Sequence, residues 1–190
     1  MAKSKKTAIL GLFTALVIIL QMISYFVKIG TFSISLTLVP IVLAAVIYGP
    51  SYGAILGAVF GAITFIGAVV GIDAGGQMLF QASPVMLIVL CLSKATLAGL
   101  IPGLIAKSLK NKNSALSVIL SAMSAPIVNT GVFLIILTFF FKETLNVWAS
   151  GTDIAYYIIF SLVGINFCIE FLVNAILSPV ILRIVKIFSK

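Results

Sequence analysis

Six uniformly apolar stretches, separated by short polar breaks, set the rhythm of this chain. They cover residues 7–27, 38–48, 52–70, 84–108, 115–141 and 154–188. Lipid offers the backbone no hydrogen bonds, so a spanning segment must be a helix or part of a closed barrel, and barrel strands alternate apolar with polar positions. These stretches are apolar on all sides, which predicts helices. A span needs about 20 residues, so every stretch but the second is long enough to cross. The second, closed by Gly49-Pro50, is too short for a ~30 Å core at ~1.5 Å rise per residue, a form that often borders a substrate site.

The breaks carry their own signals. Between the first two stretches Thr31, Ser33, Ser35 and Thr37 alternate with Phe32, Ile34, Leu36 and Leu38, a period of two that predicts an ordered, strand-like loop. Residues 71–83 contain Gly and Gln and read as a loop. Gly99, Pro102 and Gly103 weaken the end of the fourth stretch, and Pro126 and Pro179 lie inside the fifth and sixth. The expected fold is an all-α integral membrane protein, a compact bundle of six transmembrane helices forming a single domain over residues 1–190.

Composition agrees. Of 190 residues 62% are hydrophobic and 8% charged, with a mean hydropathy of +1.32, against roughly 45–50% apolar residues in soluble domains. The basic start could pass for a secretory signal, but the apolar run behind it is too long and no A-x-A cleavage site follows. It reads as the first permanent span. Cys91 and Cys168 sit inside apolar runs without metal or redox spacing, and no cofactor is expected.

Charge sets the orientation. Lys3, Lys5 and Lys6 precede the first span, Lys107, Lys110 and Lys112 lie between the fourth and fifth, and Arg183, Lys186 and Lys190 end the chain. With six crossings these groups share one side, which the positive-inside rule makes cytoplasmic, so both termini are expected there. The net charge of +8 and pI of about 9.7 therefore reflect topology and not nucleic-acid binding.

A few residues do not belong in lipid. Lys94 sits about ten residues into the fourth helix, near mid-membrane, where a charge is expensive and by default functional. Asn166, Glu170 and Asn174 recur every four residues on one face of the sixth helix. Asn129 lies midway along the fifth, beside Thr130. If they converge, Lys94, Asn129, Asn166 and Glu170 make a polar pocket inside an apolar bundle, as a small-molecule site requires. Gln81, four residues after Gln77, would cap its outer mouth. The structural alternative pairs Lys94 with Glu170 and leaves the asparagines bridging helices.

Small residues form two faces. Gly53, Gly57 and Gly61 recur at four-residue spacing in the third helix and predict close packing within the bundle. Gly11 and Ala15 repeat the device in the first helix, facing either a neighbour or a partner protein. No phosphate-binding G-x-x-x-x-G-K-[ST] motif is present, histidine is absent, and no nucleophile–base arrangement can be placed. An enzyme is not expected.

The stretch SLTLVPIVLAAVIYGPSYGAILGAVFG at 35–61, with its Gly-Pro break, together with the six-span pattern and basic start, resembles the substrate-binding S components of energy-coupling factor (ECF) vitamin transporters. That family commonly carries A-x-x-x-A in its first helix; here Gly11-x-x-x-Ala15 keeps the small surface. The resemblance implies capture of a vitamin from outside, docking through Gly11 and Ala15 on a transmembrane coupling subunit (EcfT type), and energy from two cytoplasmic ATPases (EcfA type). The segments LSKATLAGLIPGL at 92–104, SAPIVNTGVF at 124–133 and GINFCIEFLVNAILSPV at 164–180 are most similar to pantothenate-specific members. Pantothenate has a carboxylate for Lys94 and hydroxyl and amide groups for Asn129 and Asn166. Folate or biotin would also use the lysine, while riboflavin would not need it; hydroxymethylpyrimidine or pyridoxine also stays open. The rivals from other classes are a solitary secondary carrier and an accessory membrane subunit without a ligand.

Overall fold

The computed structural model describes residues 3–29, 32–33, 35–109, 114–158 and 164–188. Along the chain run α1 (Lys3–Ser24), β1 (Lys28–Ile29), β2 (Phe32–Ser33), α2 (Leu38–Tyr48), α3 (Pro50–Val69), α4 (Ala74–Ala82), α5 (Pro84–Leu109), α6 (Ser114–Phe140), α7 (Lys142–Ala149), α8 (Ile154–Tyr157) and α9 (Gly164–Phe188). Five of these helices, α1, α3, α5, α6 and α9, are long and apolar enough to cross a membrane, and α2 is a shorter apolar sixth. The predicted ordered loop is in part a two-stranded antiparallel ribbon, with Lys28 opposite Ser33 and Ile29 opposite Phe32. Thr31, Ile34, Lys110, Lys112, Lys190 and positions 159–163 lie outside the described residues.

The expected loop at 71–83 holds a helix instead. Residues 71–83 contain α4, whose glycines argued against helix; Gly71, at φ +78°, turns the chain into it. Burial decides the matter, because Leu79 is fully buried and Gly76 packs on Ala68 and Asp73, and tertiary contact overrides a propensity penalty of ~1 kcal/mol per glycine. Likewise α7 is amphipathic, burying Leu145 and Ala149 while Val147 stays exposed. Trp148 Nε1–H donates to Met78 Sδ at 3.2 Å, joining α7 to α4. Of the sixth stretch, expected as one helix from 154, the described residues hold α8, where the Tyr156 N–H donates to Asp153 Oδ1 at 3.0 Å, and α9.

The bundle is built around a seam between α3 and α5, its most extensive helix pair. A methyl group at Gly53, Gly57 or Gly61 would run into the carbonyl oxygens of Gly99, Ala95 and Cys91 in turn, and Gly103 lies against Pro50. The small-residue face thus packs inside the bundle and brings two backbones together. On this seam rest two apolar cores. One gathers α1, α2, α3, α6 and α9 around residues such as Ile41, Phe60 and Ala122, and the other joins α4 and α7 to α5 and α6 around Leu79, Leu90 and Leu137.

Candidate functional site

The polar residues sit where the two cores meet. On α5 Lys94 lies between Cys91, which belongs to the second core, and Ala95, which belongs to the first. On α6 Asn129 lies between Ala125 and Phe133 in the same way. Counted at ~1.5 Å per residue, Lys94 lies about 15 Å from the Pro84 end of α5 and Asn129 about 16 Å from the Phe140 end of α6, and both act on Glu170 of α9. Three helices therefore bring polar side chains to a common band of an otherwise apolar bundle.

Glu170 is the centre of this band, with 5% of its surface exposed. A carboxylate so buried needs partners. The Ser35 backbone N–H donates to its Oε1 at 2.7 Å, a short charge-assisted bond. The Asn129 side-chain amide reaches the same carboxylate. Lys94 acts on it from electrostatic range and not as one of its hydrogen-bond partners. The ammonium instead stands over the Phe133 ring, 5.2 Å from its centroid, a cation–π position that holds a positive charge without neutralising it. Asn129 is 4% exposed, and its Oδ1 has no hydrogen-bond partner. A half-buried cation, a buried carboxylate and an unmet buried acceptor thus lie together, a set able to take an anionic group and a hydrogen-bond donor from one small ligand.

The chain that leads into α2 closes this site from one side. Beyond the Ser35 bond, the Leu36 N–H donates to Ser24 Oγ at 3.3 Å and Thr37 Oγ1 to Gln21 Oε1 at 3.5 Å. Gln21, Ser24 and Thr37 are all buried. Just past α1, Tyr25 donates its hydroxyl to the Ile63 carbonyl at 2.9 Å. The segment 35–37 is therefore tied to α1 by two side chains and to α9 by Glu170.

The other expected residues fall in different places. Asn174 is buried and spends its Nδ2 on the Glu170 backbone carbonyl at 2.8 Å, a turn-to-turn bond within α9, while its Oδ1 is unpartnered. Asn166 is half-buried one turn before Glu170 on the same helix face. Gln81 is exposed on α4, and Gln77 packs under Gly71. Gly11 and Ala15 are exposed, and a methyl at Gly11 would meet nothing within 4 Å. The first helix is the least buried of the long ones. Among the described residues no group of His, Cys, Asp or Glu could hold a metal ion.

Residue identities alone did not bring Ser35, Phe133, Gln21 or Ser24 into this group. For Gln21 and Ser24 a signal exists, since both are polar residues three apart within the first apolar run. Phe133 lies four residues beyond Asn129 on one helix face.

Comparison with known families matches residues 5–182 to a family described as ECF transporter, substrate-specific component. No curated protein and no solved structure matches the chain.

Proposed function

The chain belongs to the family of ECF transporter substrate-specific components, and from that premise we propose that it captures pantothenate from the outer face of the membrane. Members of this family are membrane-embedded, substrate-binding transport subunits and not enzymes. The observation that carries the reading is Lys94: an ammonium held in the bundle against Phe133, within electrostatic range of a carboxylate that takes its hydrogen bonds from other residues. An anionic ligand group supplies the missing counter-charge.

In this reading the pantothenate carboxylate bonds to Lys94. Its hydroxyl and amide N–H groups donate to Asn129 Oδ1 and Glu170, with Asn166 contributing from the next turn. Residues 28–37 and 71–83 gate the pocket, and Gln81 lies at its outer rim. The whole chain acts as one domain with both termini in the cytoplasm. Gly11 and Ala15 dock on a transmembrane coupling subunit, and two cytoplasmic ATPases drive reorientation of the bundle and release of the vitamin inside.

The deciding experiment is equilibrium binding of the purified protein against a panel of B vitamins. Pantothenate is expected to bind tightest. Tight binding of folate or biotin with none of pantothenate would keep the lysine's role and replace the substrate, and tight riboflavin binding would remove both. Uptake by the chain alone in liposomes would favour a solitary carrier; strict dependence on the coupling subunit and ATPases supports the assembly described here.

A further inference from the structure

Three consecutive residues of the segment entering α2 are fastened to two different helices. The Ser35 N–H goes to Glu170 of α9 at 2.7 Å, whereas the Leu36 N–H and the Thr37 hydroxyl go to Ser24 Oγ at 3.3 Å and Gln21 Oε1 at 3.5 Å, both on α1. The second attachment does not end on α1. The Gln21 side-chain amide in turn meets the Tyr25 hydroxyl, and Tyr25 donates its own O–H to the Ile63 carbonyl of α3 at 2.9 Å. Gly67, one turn beyond Ile63, makes the room for this contact, because a methyl there would strike the Tyr25 hydroxyl. Thr37, Gln21, Tyr25 and Ile63 thus form one relay of hydrogen bonds, and its three side chains are buried. The relay matters because α1 by itself is a poor anchor, the least buried of the long helices. In contrast, α3 is pinned to α5 by glycines set on carbonyls. Segment 35–37 therefore hangs from the most firmly packed part of the bundle.

We propose that Gln21, Ser24 and Tyr25 are positioning residues for ligand capture: they hold residues 36 and 37 in place, keep the Ser35 N–H on Glu170, and so set how slowly a bound ligand leaves. The inference rests on the vitamin-binding reading above. Stability alone does not call for such a relay, since replacing both partners of a buried hydrogen bond by apolar groups of the same shape is close to neutral. What apolar groups do not provide is direction. Hydrogen bonds fix where the 35–37 backbone lies, and with it the main-chain donor that the Glu170 carboxylate receives. Without the relay the segment swings on the Glu170 bond, and the opening of a segment that covers a site governs release.

The test uses the full chain purified in mild detergent, loaded with radiolabelled pantothenate and chased with unlabelled vitamin. Tyr25→Phe and Thr37→Val each remove a relay hydroxyl while keeping the shape, and each is expected to speed release about fivefold, roughly the factor carried by one hydrogen bond. Association should stay within about twofold of the natural rate, as interface changes act mostly on dissociation. Because both substitutions break one relay, the double variant should release hardly faster than either single one. Thr37→Ser restores the hydroxyl and with it slow release. In parallel, hydrogen exchange at the Ser35 and Leu36 amides is expected to quicken in Tyr25→Phe and Thr37→Val. A lower Tm with unchanged release would make the relay merely structural, and additive effects would make its bonds unrelated; either result overturns the proposal. If the natural protein binds no vitamin, the function proposed above fails on its own. Exchange then decides the relay: quickened exchange keeps it, and unchanged exchange overturns it.

Discussion

The Glu170 carboxylate accepts the backbone N–H of Ser35, 135 positions earlier in the chain, at 2.7 Å. One bond thereby joins the segment entering α2 to the face of α9 that carries the polar site. Glu170→Ala removes the acceptor and leaves Ser35 N–H without its partner in a part-buried setting, a loss of about 1–3 kcal/mol. A lower Tm is expected, with Glu170→Gln falling between the two because an amide oxygen still accepts. Equal Tm values for the natural protein and the alanine variant would show that the bond does not hold the segment.

Lys94→Ala should weaken pantothenate binding tenfold or more, since a charge-assisted hydrogen bond contributes roughly 1.5–3 kcal/mol. Isothermal titration of the folded variant checks this. Phe133→Leu keeps the bulk but removes the ring under the ammonium, and a smaller loss, about threefold for ~0.5–1 kcal/mol, is expected. Unchanged affinity in Lys94→Ala would place the anionic end of the ligand elsewhere.

Gly57 has no room for a side chain, because its face meets the Ala95 carbonyl. Gly57→Val must push α3 off α5, with a cost at or above the usual ~1–3 kcal/mol of overpacking. Gly131 provides the control: nothing lies within 4 Å of a methyl placed there, so Gly131→Ala is expected to be neutral or to stabilise by up to ~1 kcal/mol through helix propensity. Thermal unfolding of the two variants side by side makes the comparison, and similar Tm values would contradict the seam.

Gly11 and Ala15 are exposed on α1, and a side chain at Gly11 meets nothing within 4 Å, so bulk there should spare the fold. Ala15→Trp is expected to bind vitamin with the affinity of the natural protein and yet fail to co-purify with the coupling subunit. Intact assembly in that variant would move the docking surface off α1.

The spans were legible in the sequence because a lipid-facing helix advertises itself by length and hydropathy; the short helix ending at Gly49-Pro50 was read to the residue, 38–48. Legible too were Lys94, Asn129 and Glu170 as polar residues at odds with their surroundings. What a residue string does not carry is a main-chain donor. Ser35 enters the site through its N–H, which every residue but proline owns, so no side-chain pattern marks it. Similarly α4 hides behind Gly75 and Gly76, since its helicity comes from burying Leu79 against a core assembled from distant segments. The alternation over 28–37 did predict order, and the ribbon pairing Lys28 with Ser33 is what that order consists of.

The seam of glycines on carbonyls reaches into the chemistry of the site. Gly57 and Gly61 touch α5 at Ala95 and Cys91, the positions that bracket Lys94, so α5 can neither rotate nor ratchet along α3 without driving carbonyl oxygens into backbone. Together α3 and α5 act as the stator of the molecule, presenting its cation at a fixed height and azimuth. Rearrangement that admits or releases a ligand then falls to pieces fastened by individual side-chain bonds, the segment 35–37 first among them.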